Sequence, residues 1–155
     1  MRFFVAVAMF MVIGCATQLR AEFIPESDIS LGKVRSILSN SYGTKIDDDG
    51  DIVVTKAGSG RVIVSVIPKT KRIRIAKYYS KVDNRSTSEM ILLANKFNWD
   101  KVISRVAISP KGESVVDIPI VYKGGISAEA LLDMVDWCYV LCDAWENFVL
   151  KGGDK

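Results

Sequence analysis

Residues 51–79 place the strongest constraint on the fold, because three short runs rich in apolar residues follow one another there with very short connections. The runs have the sequences DIVVTKA, RVIVSVI and RIRIAKYY, and they are separated by GSG at 58–60 and PKTK at 68–71. Apolar residues that recur at every second position, with connections this short, are typical of antiparallel strands. The segment therefore predicts a three-stranded meander.

Apolar residues at helical spacing predict three helices around this meander. They are expected over residues 26–42, from the capping-box sequence at 86–89 to near Asn98, and from a cap at Ser127 to near Leu150.

Two further strands are predicted over residues 102–108 and 115–122. Pro119 lacks a backbone N–H, which predicts a sheet edge or a bulge at that point. The order of elements is then α-β-β-β-α-β-β-α. This order predicts an α+β fold, in which a twisted antiparallel sheet carries its helices mainly on one face.

The first 21 residues have the three-part pattern of a secretory signal. Arg2 supplies a cationic start, residues 3–14 carry no charge, and the small Ala21 precedes the acidic Glu22. The apolar run is shorter than the roughly 20 residues that span a bilayer. We therefore predict a signal peptide at 1–21, one domain at 22–150 and a disordered tail at 151–155, in a periplasmic or otherwise exported bacterial protein.

Residues 12–15, with the sequence VIGC, leave a second processing route open. A branched residue, a tolerated residue, a small residue and a cysteine form the pattern of a lipoprotein signal, which would place a lipid anchor on Cys15. An uncleaved anchor is a third alternative. Contact with the membrane is expected only through the signal or such a lipid anchor.

The absence of histidine excludes several classes of site, including Ser-His-Asp and Cys-His nucleophiles and zinc sites with histidine ligands. The chain also has no P-loop, GxGxxG or GxSxG pattern. Removing Arg2 and Arg20 with the predicted signal leaves 19 basic and 18 acidic residues, so no strong charge attracts nucleic acid. We expect no enzyme activity, cofactor, metal or nucleic-acid partner, although carboxylate and lysine chemistry stay formally open.

The predicted last helix is more apolar than a helix with one buried face requires. It is either packed deeply in the core or partly a surface for a partner, with Trp137, Tyr139, Leu141 and Trp145 as the candidate contacts. Cys138 and Cys142 lie four residues apart on this helix. Buried thiols are the favoured interpretation for them, and a strained or intermolecular disulfide is the alternative.

Residues 69–81 contain six cations, and Arg72 and Arg74 share one strand face. Solvated surface charge is the favoured interpretation. The alternative is a small-ligand or anion site formed by Arg72, Arg74 and Lys77. The acidic sequence DDDGD at 47–51 predicts a turn and does not fit a calcium loop, because Lys45 and Lys56 would occupy the first and last ligand positions.

Two long stretches resemble the YbjN domain. They are DDDGDIVVTKAGSGRVIVSVIPKTKRIRIAKYY and ANKFNWDKVISRVAISPKGESVVDIPIVYKGGISAEALLDMVDWCYVLCDAWENFV. The points of likeness are an acidic turn with glycine before a strand, an asparagine-bearing helix before the strand SRVAI, and a GGIS turn before the final helix. The resemblance covers about residues 26–150.

This resemblance implies a regulator of bacterial sensory transduction with a fold similar to that of type III secretion chaperones. Chaperones of that class often dimerise and bind peptide segments of their partners. The resemblance therefore implies a non-catalytic protein-interaction domain, a regulator or chaperone-like binder of an unidentified envelope protein. A homodimer is a further expectation. The chain departs from many members of the family in carrying an export signal.

Overall fold

The computed structural model describes residues 22–99, 101 and 103–153. The predicted signal peptide and the lipidation candidate Cys15 lie outside the described residues. Within the described part, no helix is both long enough and apolar enough to cross a bilayer.

The described residues form three α-helices and eight strands. The helices are α1 (Leu31–Leu38), α2 (Thr87–Trp99) and α3 (Ala128–Leu150). The strands are β1 (Phe23–Ile24), β2 (Gly43–Ile46), β3 (Ile52–Lys56), β4 (Gly60–Ile67), β5 (Arg72–Tyr79), β6 (Arg105–Ile108), β7 (Ser114–Val121) and β8 (Ile126–Ser127). Six strands form one antiparallel sheet in the order β2-β3-β4-β5-β7-β6, and β1 pairs with β8. The predicted α+β class and the meander β3-β4-β5 are confirmed.

The alternation of side chains along the central strands builds one core. Ile52, Val64, Ile75 and Ile118 lie side by side across four strands, and all four are buried. The helices add their own apolar residues to this cluster, among them Val34, Leu38, Met90, Phe97, Leu131, Val135 and Trp145. All three helices therefore pack on the same face of the sheet, as the sequence predicts.

The first helix is shorter than the predicted range of residues 26–42. Residues 26–28 form a 3₁₀ turn, and α1 begins only after Ser30, whose hydroxyl accepts a hydrogen bond from the Lys33 backbone N–H at 3.2 Å. The helix ends at Leu38, and the chain then forms β2. The prediction is wrong at both ends, because residues 26–28 form a separate turn and residues 39–42 form turns between α1 and β2. The sequence does not predict β2, because GTKI contains one apolar residue and no alternation that would indicate a strand.

The caps of the second and third helices agree with the sequence. The Glu89 backbone N–H donates to the Ser86 hydroxyl at 3.2 Å, and the Ser86 backbone N–H donates to the Glu89 carboxylate at 2.7 Å. The Ser127 hydroxyl accepts from the Ala130 backbone N–H at 3.0 Å. These bonds satisfy N–H groups that have no partner inside the helix, which explains why α2 and α3 begin where they do.

Pro119 lies in a part of β7 that is open on one side. β7 pairs with β5 along its whole length, whereas β6 is short and pairs only with residues 114–117. Among the described residues, the half of β7 that contains Pro119 therefore has no strand on its outer side. The predicted edge position is confirmed.

Lys151 to Gly153, which the sequence assigns to a disordered tail, form an ordered turn after α3. The Gly153 backbone N–H donates to the Phe148 carbonyl at 2.9 Å, and the Lys96 ammonium donates to the Gly153 carbonyl. Gly153 is buried because it lies against α2 and the last turn of α3. Residues 154 and 155 lie outside the described part.

Replacing Gly125 with alanine is expected to lower the free energy of unfolding by about 1–3 kcal/mol. Gly125 has φ 118°, which disfavours a side chain, and a Cβ there would lie 2.6 Å from the Ile24 carbonyl oxygen. Gly32→Ala in α1 is the matched change, because a Cβ at that position meets nothing within 4 Å. It is expected to raise stability by about 0.5–1 kcal/mol. Urea denaturation measures the stability of both variants. A similar loss of stability in the two would show that position 125 is no more restricted than position 32.

Candidate functional site

One face of the six-stranded sheet carries no helix from the described part of the chain. We call it the open face, and its side chains come from the alternate positions of the strands that do not enter the core. Its central members are Arg61, Ile63, Ser65, Ile67, Arg72, Arg74, Ala76, Tyr78, Arg105, Ala107, Val115, Asp117, Pro119 and Val121. An uncovered sheet face with apolar and arginine side chains is unlike the purely polar face that a solvated sheet usually presents.

A buried carboxylate organises the centre of the open face. Asp117 is only 1 % exposed, and both of its oxygens accept hydrogen bonds. Arg105 binds it with two nitrogens, from Nε to Oδ1 at 3.1 Å and from Nη2 to Oδ2 at 2.8 Å. Arg74 Nε donates to Oδ2 at 2.9 Å. The carboxylate therefore holds two guanidinium groups close together on the protein surface.

Tyr78 completes this group. Arg74 Nη1 donates to the Tyr78 hydroxyl at 2.8 Å, and the guanidinium carbon lies 5.6 Å from the centre of the Tyr78 ring. We call Arg74, Tyr78, Arg105 and Asp117 the arginine cluster.

Strand register explains how the arginine cluster forms. Arg105 on β6 lies directly opposite Asp117 on β7, and Asp117 lies directly opposite Ala76 on β5. Ala76 lies between Arg74 and Tyr78 on the same face of β5, so both side chains reach the same part of the open face. Cross-strand pairs of opposite charge stabilise a sheet, so this register and the cluster support one another.

Electrostatics within the cluster favour the ionised carboxylate. Burial alone would raise the pKa of Asp117, but hydrogen bonds from Arg105 and Arg74 outweigh that effect and hold its pKa below the ordinary value. The cluster therefore carries two positive charges and one negative charge at neutral pH.

The main effect of the arginine cluster is to fix the positions of its two arginine side chains. A buried ion pair contributes little net stability, because removing charges from water offsets much of their attraction. Arginine side chains that are already held in place lose less conformational freedom when a partner binds. Arginine and tyrosine are also enriched among the residues that dominate binding at interfaces. The arginine cluster is therefore the part of the open face best suited to recognition.

The structure places three of the four predicted partner contacts of α3 in the core. Tyr139, Leu141 and Trp145 are buried, and the Tyr139 hydroxyl donates to the Val54 carbonyl at 3.0 Å. They are core residues because α3 packs against the centre of the sheet and against α1 and α2. Trp137 is 51 % exposed and remains available to a partner.

The three residues of the predicted anion site do not converge. Arg72 and Arg74 lie on the open face, whereas Lys77 lies on the helix face, where its ammonium binds the Glu146 carboxylate at 2.7 Å. Side chains at even and odd positions of a strand point to opposite faces, which separates Lys77 from the two arginines.

The sequence patterns do not identify Asp117 or Arg105 as candidate site residues. The sequence does indicate that Asp117 has a partner, because it lies between apolar residues in the strand VVDIPI and a charged residue inside such a strand requires one. The identity of that partner depends on strand pairing, which a single sequence does not reveal.

Cys138 and Cys142 are both buried and free, with their sulfur atoms 4.0 Å apart. The hydrogen bond to Cys142 and burial raise the pKa of the Cys138 thiol. The favoured interpretation as buried thiols agrees with this placement.

The acidic residues 47–51 form the turn between β2 and β3 that the sequence predicts. The Asp51 backbone N–H donates to the Asp47 carboxylate at 2.9 Å. Three aspartates of this turn, Asp47, Asp49 and Asp51, line a depression of about 440 Å³ on the open face together with Arg61 and Tyr78. Within the described residues, no group of three or more His, Cys, Asp or Glu side chains is arranged to hold a metal ion.

Comparisons with known proteins bear on the whole domain. The model of the YbjN family, described as "Putative bacterial sensory transduction regulator", matches residues 34–151. No curated protein and no solved structure matches the chain. The similarity to type III secretion chaperones therefore stays a prediction. Because the match spans most of the sequence, this chain belongs to the YbjN family.

Proposed function

We propose that this protein is a non-catalytic regulator of the bacterial cell envelope that binds a protein partner through its open face. The single observation that carries the proposal is the arginine cluster. Its two guanidinium groups are fixed by a buried carboxylate on a sheet face that no described helix covers. The family description as a regulator of sensory transduction supports the same class of function.

Export is the second part of the proposal. It is supported by the pattern of residues 1–21, with lipidation at Cys15 as the alternative route. Mass spectrometry of the protein purified from its bacterial host tests this part. An N-terminus at Glu22 supports soluble export, a lipid-modified N-terminal Cys15 supports the anchored form, and an intact Met1 contradicts processing.

Partner binding is tested by site-specific photocrosslinking in the host cell, with benzoylphenylalanine in place of Val121, which is exposed on the open face and lies outside the arginine cluster. We expect a discrete crosslinked product, and we expect Arg105→Gln to reduce its yield at least tenfold. A tenfold change corresponds to about 1.4 kcal/mol, which is within the range for an arginine that dominates an interface. Arg105 is suited to this change because its side chain is 65 % exposed, and Arg74 stays bound to Asp117 in the variant. Because Arg105 supplies two of the hydrogen bonds to the buried Asp117 carboxylate, circular dichroism of the purified variant first checks that it is folded.

Two control variants accompany this experiment. Arg35→Gln removes the same charge from an exposed position on α1 and is expected to leave the yield unchanged. Trp137→Ala tests α3 as the contact surface. Loss of the product in Trp137→Ala alone, or no product at position 121, would contradict binding through the open face. A product that joins two copies of this chain would identify a homodimer as the complex.

A further inference from the structure

We infer that the open face takes an extended polypeptide segment of the partner that presents acidic and apolar side chains on the same side. This inference rests on the proposed function and adds the chemistry of the partner. The observations that carry it are the donor groups of the arginine cluster, the charge of the open face and the apolar residues beside the cluster.

The arginine cluster offers hydrogen-bond donors and almost no acceptors. Both oxygens of Asp117 already accept bonds from the two arginines. Arg105 uses Nε and Nη2, and Arg74 uses Nε and Nη1, so within the described residues each guanidinium keeps one terminal nitrogen without a hydrogen bond. The exposed Tyr78 hydroxyl accepts from Arg74 and can donate its own hydrogen. A group that meets this surface must supply acceptors, and a carboxylate matches the planar guanidinium best.

Next to the arginine cluster on β5 the surface charge has the same sign, whereas the acidic turn at 47–51 lies at another part of the open face. The arginine cluster has a net charge of one positive unit, and Arg72 is exposed on the same strand face as Arg74. Acidic side chains of a partner would therefore be attracted to this side of the open face and would arrive faster at low salt.

The apolar residues beside the arginines favour a polypeptide over a small anion as the ligand of the open face. Arg72 lies between Ile67 on β4 and Val121 on β7, and Val121 is 61 % exposed. Inorganic phosphate or a lipid head group would leave this apolar surface in water. A polypeptide can cover it with an apolar side chain while a carboxylate binds the arginine cluster.

The geometry of the strands sets the spacing in such a segment. Asp117 and Val121 lie four residues apart on β7, which corresponds to about 13 Å in a strand. In an extended segment, side chains at every second position point to the same side. An acidic residue and an apolar residue that lie four positions apart in such a segment would therefore reach the arginine cluster and the Val121 region together.

A fluorescence anisotropy titration of the full-length protein with a short labelled peptide tests this inference. In the peptide, one glutamate and one valine lie four positions apart on the same side, and serine occupies the other positions. The matched control peptide has glutamine in place of glutamate. We expect the glutamate peptide to bind at least ten times more tightly and to weaken as salt increases.

Protein variants then assign the effect to the open face. Arg105→Gln and Arg72→Gln are each expected to weaken binding of the glutamate peptide severalfold. Arg72→Gln leaves every bond of the arginine cluster in place, so its effect does not depend on an intact Asp117 network. Arg35→Gln, remote on α1, is expected to bind the peptide as the unmodified protein does.

Several results would overturn the inference. Equal binding of the two peptides, no binding of either, or no effect of Arg105→Gln and Arg72→Gln would each contradict an acidic segment. Equally strong binding to phosphatidylglycerol vesicles, abolished by the same variants, would identify a lipid surface instead. If the crosslink at position 121 persists while the peptides fail, partner binding stands and only the acidic chemistry is wrong.

Discussion

Replacing Trp145 with alanine is expected to lower the free energy of unfolding by about 3–5 kcal/mol. Trp145 is 2 % exposed, its ring centre lies 5.3 Å from that of Phe97, and its indole N–H donates to the Ser114 hydroxyl at 3.2 Å. The substitution leaves a cavity where α2, α3 and the sheet meet, and it removes a partner of a buried hydroxyl. A loss of this size is a large part of the stability of an ordinary domain, about 5–15 kcal/mol.

Trp137 is the control for this prediction, because it is the same residue type eight positions earlier on the same helix and is half exposed. Trp137→Ala is expected to change the free energy of unfolding by less than about 1 kcal/mol. Urea denaturation followed by far-ultraviolet circular dichroism measures both variants without using tryptophan fluorescence. Similar losses in the two variants would show that Trp145 is not the core residue that the structure places there.

Replacing Asp117 with asparagine is expected to lower the free energy of unfolding by about 2–3 kcal/mol at neutral pH, because the two arginines lose a charged acceptor. The cost stays moderate since Arg105 is largely exposed and can turn towards water. The effect should depend on pH. The pKa of Asp117 is lower in the folded protein than in the unfolded chain, so its carboxylate stabilises the fold above the unfolded pKa. That contribution is lost as pH falls through the folded pKa.

Urea denaturation between about pH 3 and pH 7 measures this dependence. The gap in stability between the unmodified protein and Asp117→Asn should be full near pH 7 and should narrow as the pH falls below about 4. Asp136→Asn is the control, since Asp136 forms an exposed ion pair with Lys56 at 2.7 Å and is expected to cost less than about 1 kcal/mol. A gap that is constant with pH would show that Asp117 is not the ionised centre of the cluster.

The local pattern of the sequence predicts most of the secondary structure. The meander β3-β4-β5 follows from alternation and short turns, and the starts of α2 and α3 follow from Ser86 and Ser127, because each of these patterns acts within a few residues. β2 has no such pattern and exists because it pairs with β3. The two-residue strands β1 and β8 likewise depend on each other, although about 100 residues separate them.

The candidate site is harder to predict, because its residues meet across strands. Arg74 was singled out for its charge, yet the residues that give it a function lie 31 and 43 positions further along the chain, at Arg105 and Asp117. The apolar composition of α3 left core and interface as equal alternatives, and only packing against the sheet separates buried Trp145 from exposed Trp137.

The sequence by itself determined the class of the fold, the identity of the family and the absence of any chemistry that depends on histidine. The tertiary structure alone decided which face of the sheet is covered, which of the apolar residues of α3 are buried, and which arginines share a carboxylate. The physical reason is the range of the interactions. Periodicity and capping act between neighbours in the chain, whereas burial and ion pairing depend on the register of strands that are distant in sequence.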